Sequence, residues 1–183
     1  MKIVLASTSP RRKELLKEIF SDFDVLSPNC EEKEDKSPIK TVLGIARDKA
    51  NSINVDYDVL ISADTIVVYK KRIIGKPISK QDAIQTLELL SGKTHSVYTG
   101  VCLKIKKFDR TIVKVFAVKS RVKMKKLSPS DILEYVDSGS PLDKAGAYGI
   151  QDGVVEKYHG SYSNIVGLPI EKLEKVLRHL GVK

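Results

Sequence analysis

Arg11, Arg12, Lys49, Asp64 and Lys76 are the residues whose types and settings could do chemistry in this 183-residue chain. Arg11 and Arg12 follow Ser9-Pro10 in the first turn of a predicted helix, where the macrodipole disfavours positive charge by about 0.3–1 kcal/mol per residue. An anion bound there would reverse that sign. Free N–H groups at a helix start already favour phosphate, and two guanidinium forks add charge-assisted hydrogen bonds. The alternative is that both arginines point to solvent or pair with the acidic loop Glu31-Glu32-Lys33-Glu34-Asp35. Asp64 interrupts a strand-like run containing Ile61, Ala63, Ile66 and Val67. Desolvating a carboxylate is expensive, so Asp64 ends the strand, joins a structural ion pair, or is held to bind a cation or a water. Gly75-Lys76-Pro77 presents a lysine from a stiffened base, and lysine serves phosphate as a point charge. A plain turn reads the same way. Lys49, beside Ile45, Ala46 and Ala50, is open to the same two readings.

Other chemistries find no support. His95, His159 and His179 lack the spacing of a metal site or a catalytic triad. The two cysteines, Cys30 and Cys102, form neither a disulfide framework nor a zinc site, so a reducing cytoplasm is expected. Neither the P-loop nor the dinucleotide fingerprint is present. No apolar run approaches the ~18 residues a membrane span needs, and the apolar start before Ser7 is too short for a signal peptide.

The elements that must position these residues alternate early and then become strand-rich. A buried strand at 2–6 runs into Ser9, an expected N-cap, and Pro10. Leu15, Leu16, Ile19 and Phe20 then form the stripe of a first helix. A second helix spans about 39–52. Residues 59–69 read as a strand that turns through Lys70-Lys71-Arg72 into Ile73-Ile74. Ser79 and Asp82 predict a capping box for a helix over 83–90, stopped by Gly92. Strands follow at 95–105 and 111–125, then a helix opened by Ser128-Pro129. Residues 139–167 form a long glycine-rich stretch, a candidate functional loop. An amphipathic helix closes the chain at 169–180. This pattern predicts an α/β fold with a mixed sheet flanked by helices, as one domain with two lobes.

A net charge of +9 favours polyanionic partners. Much of the excess lies between Lys104 and Lys126, where Lys119, Arg121, Lys123 and Lys125 alternate with Val118, Ser120, Val122 and Met124. That period of two describes the wet face of a half-buried strand. A nucleic-acid-binding module is one rival reading. Aromatic residues make up only 6% of the chain and none cluster with those lysines, so a base-stacking platform is lacking.

Taken in order, the segments resemble the Maf family of nucleotide pyrophosphatases, also described as septum-formation inhibitors. They are Leu5-Ala6-Ser7-Thr8-Ser9-Pro10-Arg11-Arg12, Ile45-Ala46-Arg47-Asp48-Lys49-Ala50, Ser62-Ala63-Asp64-Thr65 and Gly75-Lys76-Pro77. Ser91 to Gly100, Asp143 to Gln151 and Gly160 to Pro169 complete the set. The resemblance implies an elongated mixed sheet with a cleft between two lobes, often in a homodimer. It implies Asp64 as the catalytic carboxylate, with Ser7, Arg11, Arg12, Lys49 and Lys76 binding substrate around the triphosphate. It also implies a Mg²⁺ or Mn²⁺ ion served by Asp64 and Glu32, although the family more often has Asp-Glu where this chain has Glu31-Glu32.

Within the family, Arg11, Thr65 and Gln151 together resemble the branch acting on dTTP and UTP. The branch acting on 7-methyl-GTP typically has an aromatic residue at the Arg11 position. A glutamine amide can accept from a pyrimidine N3–H and donate to the adjacent carbonyl, an arrangement that cytosine would offend. The implied reaction yields the monophosphate and pyrophosphate. A second rival is a nucleotide-sensing regulator of cell division without turnover.

Overall fold

Three long strands organise the molecule: β-branched residues are frequent in all three, and the first of them, at 59–69, is a nearly continuous buried run. The computed structural model describes residues 1–183. Its strands are β1 (Ile3–Ala6), β2 (Asp24–Leu26), β3 (Val59–Tyr69), β4 (Arg72–Ile74), β5 (Thr94–Lys107), β6 (Arg110–Met124) and β7 (Val155–His159). They form one sheet in the order β2-β1-β3-β5-β6-β7, with β4 hairpinned onto β3. The β2-β1-β3 part is parallel, and β3, β5, β6 and β7 pair antiparallel. The helices are α1 (Pro10–Leu16), α2 (Pro38–Asn51), α3 (Lys80–Leu90), α4 (Pro129–Asp137), α5 (Tyr162–Val166) and α6 (Ile170–His179).

Two main apolar cores form along the long strands. One gathers Leu5, Leu16, Ile61, Leu103, Leu173 and Leu177 from β1, β3, β5, α1 and α6. The other gathers Val67, Leu87, Val97, Val122, Met124 and Val136, under α3 and α4. A smaller cluster of Val4, Ala46, Ala50, Leu60 and Cys102 lies beneath α2. Strand β3 gives Ala63 to the first core and Val67 to the second. Asp64, Thr65 and Ile66 therefore occupy the junction.

The mixed sheet flanked by helices matches the expected class, and β3 has the expected limits. The Lys70-Lys71 turn has φ of 47° and 68°, as a tight hairpin onto β4 requires. Four details differ. Helix α1 ends at Leu16, so Ile19 and Phe20 fill the first core from the turn that follows. Ser9 stands at the N-cap position without a capping bond; its own N–H donates to Ser7 Oγ at 3.2 Å. Ser79 Oγ accepts from Asp82 N–H, but the Asp82 carboxylate accepts from Ile78 N–H, so the reciprocal box does not close. The 139–167 stretch is built as three 3-10 turns, β7 and α5.

Candidate active site

A cavity of about 300 Å³ opens at the junction of the two cores, lined by Arg11, Arg12, Glu32, Lys49, Asp64, Thr65, Lys76 and Gln151, among others. Two contacts seat α2 over the sheet beside it. Asp64 pairs in register with Gly100 on β5. A Cβ on Gly100 would lie 2.4 Å from the carbonyl oxygen of Val42, so only glycine lets the α2 backbone come this close. Ser62 Oγ then donates to the Ala46 carbonyl at 2.6 Å.

That seating delivers Lys49. Its Nζ lies 2.8 Å from Asp64 Oδ1 and 2.6 Å from Glu32 Oε1, with Lys49 and Asp64 side chains 11% and 9% exposed. A buried carboxylate needs such a partner, because desolvation is otherwise uncompensated. Burial alone would raise the pKa of Glu32. The hydrogen bond and charge of Lys49, with Lys76 and Arg12 beyond, outweigh it and hold Glu32 below the usual carboxylate range.

Arg12 is held on three sides. Its Nε donates to Gly167 O at 2.8 Å, Nη2 to Thr65 Oγ1 at 3.0 Å and Nη1 to Ser7 Oγ at 3.3 Å. Thr65 Oγ1 in turn lies 2.9 Å from Thr99 Oγ1, whose hydroxyl donates to Asn164 O. Burial lowers the pKa of Arg12, and the Asp64 charge offsets part of that. A guanidinium remains charged even so. Arg11 reaches the other way: Nη1 pairs with Asp143 Oδ2 at 2.7 Å and Nη2 donates to the Asp143 carbonyl at 3.1 Å.

The family model described as Maf-like protein matches residues 2–180. Curated relatives named dTTP/UTP pyrophosphatase come from Dictyoglomus thermophilum, Agathobacter rectalis and Aquifex aeolicus, at 45%, 43% and 42% identity. The alignments cover 98%, 98% and 100% of this chain and 96%, 98% and 97% of those proteins. The chain belongs to the Maf family.

The Maf fold thus brings Arg11, Arg12, Glu32, Lys49, Asp64, Thr65, Lys76 and Gln151 to one cavity. Ser7 stands behind them, 3% exposed, as an acceptor for Arg12. The acidic loop supplies its Glu32 to Lys49, whereas Arg11 pairs with Asp143, a partner that sequence reasoning missed. Lys144, Glu34 and Tyr148 also line the cavity without having been singled out. The signal was present in the glycine-rich stretch and in the Asp143-Lys144 motif, but only contact across the cleft gives those residues a role. No three His, Cys, Asp or Glu side chains gather as a ready-made metal cage in this Maf-like chain. Glu32 and Asp64 nevertheless converge on one ammonium, and two hard carboxylate oxygens suit a divalent cation whose other ligands are phosphate and water.

Proposed function

We propose that this chain is a nucleoside triphosphate pyrophosphatase, hydrolysing dTTP and UTP to the monophosphate and pyrophosphate. The observation that carries the reading is Asp64 beside Lys49 in a cavity that also receives Arg11, Arg12 and Lys76. Arg11, Arg12, Lys49, Lys76 and Lys144 line the cavity beside the carboxylates of Glu32, Glu34, Asp64 and Asp143, and cations gathered around the buried Asp64 suit a polyphosphate and a water. The names of the full-length relatives support the same substrates for this chain.

Water adds to the α-phosphorus in line with the bond to the bridging oxygen. That P–O bond breaks, and pyrophosphate leaves with the bonding pair. Asp64 orients the water and takes its proton. Lys49 holds the carboxylate in place, and Arg11, Arg12 and Lys76 offset charge on the phosphate oxygens. A Mg²⁺ or Mn²⁺ ion bound through Glu32 and Asp64 would add Lewis-acid stabilisation of those oxygens. Gln151 reads the pyrimidine edge, accepting from N3–H and donating to the neighbouring carbonyl, which disfavours CTP.

The chain acts as one domain, and the family resemblance supports a homodimer. Two free thiols, Cys30 and Cys102, support a reducing compartment such as the cytoplasm. A screen of canonical and modified triphosphates with Mg²⁺ or Mn²⁺, scored for monophosphate and pyrophosphate, tests the reaction. Release of the two products from dTTP and UTP is expected. Tight binding of those nucleotides without turnover would instead establish a sensor.

A further inference from the structure

Gln151 is exposed, so its aim depends on the backbone that carries it. That backbone is a single 3-10 turn, Ile150–Asp152, closed by Asp152 N–H donating to Gly149 O at 3.1 Å. Both ends of the turn are tied to one atom of α4. The Tyr135 hydroxyl accepts from Gly149 N–H at 3.0 Å and donates to Asp152 Oδ2 at 2.5 Å. Ser140 Oγ donates to the same carboxylate oxygen at 2.9 Å, and Lys144 Nζ lies 4.0 Å from it. The ring of Tyr135 packs against the second core, which fixes where the hydroxyl can be.

The sequence is fitted to this arrangement at Gly149. A Cβ there would lie 2.7 Å from Asp152 Oδ2 and 3.0 Å from Lys144 Cε, so glycine is what lets the carboxylate fold back under the turn. Burial and the adjoining Asp152 carboxylate push the Tyr135 hydroxyl well above the usual phenol range, so it stays protonated as a donor.

We propose that the Tyr135 hydroxyl and the Asp152 carboxylate form a clamp that aims Gln151 at the base, making both of them positioning residues for pyrimidine selection. This rests on the reading in which Gln151 recognises the nucleobase. The clamp touches neither phosphate nor the water that attacks it. Its loss changes which base is preferred and leaves the polyphosphate grip unaltered.

The test is calorimetry of the full chain with Mg²⁺ and the non-hydrolysable α,β-methylene analogues of UTP and CTP, with tripolyphosphate as the control ligand. Tyr135→Phe and Asp152→Ala are each expected to lower the UTP-over-CTP affinity ratio about tenfold, the worth of one well-placed hydrogen bond to a charged group. Tripolyphosphate affinity stays unchanged, and the double variant is no worse than either single one. Asp152→Asn keeps an acceptor for the hydroxyl and is expected to restore most of the ratio; with Asp152→Ala it carries the test should Tyr135→Phe not fold. A lowered melting temperature with the ratio intact would reduce the clamp to structural support and overturn the proposal. Gln151→Ala separates the two levels. If it collapses the ratio while the clamp variants do not, the clamp is wrong and base recognition stands. If Gln151→Ala itself keeps the ratio, base recognition by Gln151 falls and the clamp falls with it.

Discussion

The two ends of the cavity are held by different kinds of structure. At the proposed phosphate end, Lys49, Asp64 and Arg12 issue from α2, β3 and α1, and each is tied by side-chain bonds of its own. At the proposed base end, Gln151 rides on a short turn that depends on the neighbours of Gly149 and Asp152. A catalytic carboxylate must be placed within a fraction of an ångström, and regular elements supply that. A recognition side chain can sit on irregular backbone that differs between related chains without disturbing the chemistry. The lesson is a division of labour between sheet and loop.

The largest effect belongs to the phosphate end. Asp64→Asn is expected to cut turnover by about 10³-fold or more, with nucleotide binding retained, as read by product release beside calorimetry. Unchanged turnover would remove Asp64 from the chemistry. Lys49→Ala leaves two carboxylates facing each other and is expected to cost about 3 kcal/mol of stability in denaturant titration. Gly100→Ala pushes α2 off the sheet and is expected to cost about 2 kcal/mol, with turnover falling alongside stability. If turnover stayed level in that variant, α2 would not be what sets the geometry of Lys49. Arg12→Lys exchanges a three-way fork for a single ammonium, and tripolyphosphate should bind about tenfold more weakly by calorimetry.

The smallest effect belongs to the wall of the cavity. Burial depresses the pKa of His95 to about 4 from 6.5, and its Nε2 lies 2.7 Å from the hydroxyl of Tyr148, which lines the cavity. The imidazole is neutral in the fold and takes up a proton on unfolding. Its contribution is complete above pH 6.5 and is lost as the pH falls toward about 4. Melts across that window should show roughly 1 kcal/mol lost per pH unit from this group. His95→Phe should flatten that part of the profile, and an unaltered slope would place the acid sensitivity elsewhere.

Much of the phosphate end was legible in the sequence. Asp64 stood out because an apolar strand does not hold a carboxylate for nothing, and the limits of β3 followed from its run of branched residues. Pairings across long separations were not legible. Arg11 and Asp143 are 132 positions apart, and no local pattern joins them. Nor does the periodicity of α2 say that Lys49 faces Asp64, since that depends on what Gly100 permits on another strand. Strand β7 escaped because four of its five residues are exposed and give no alternating pattern. Strand β2 has only three residues, none of them buried. Tyr135 reads in sequence as one more apolar residue of α4, because the bonds of a hydroxyl leave no periodic trace.

The pairing of β5 with β6 runs without a break from Thr94 and Lys123 to Lys107 and Arg110. The same two strands supply residues to both main cores. Such a ribbon is a splint between the two main cores, and its unbroken pairing opposes a hinge motion of one against the other. Accommodation of a nucleotide must then come from the segments outside the splint, around Glu32, Lys76 and Gln151. Amide exchange with and without bound nucleotide should slow in those segments and leave the ribbon's amides as they were.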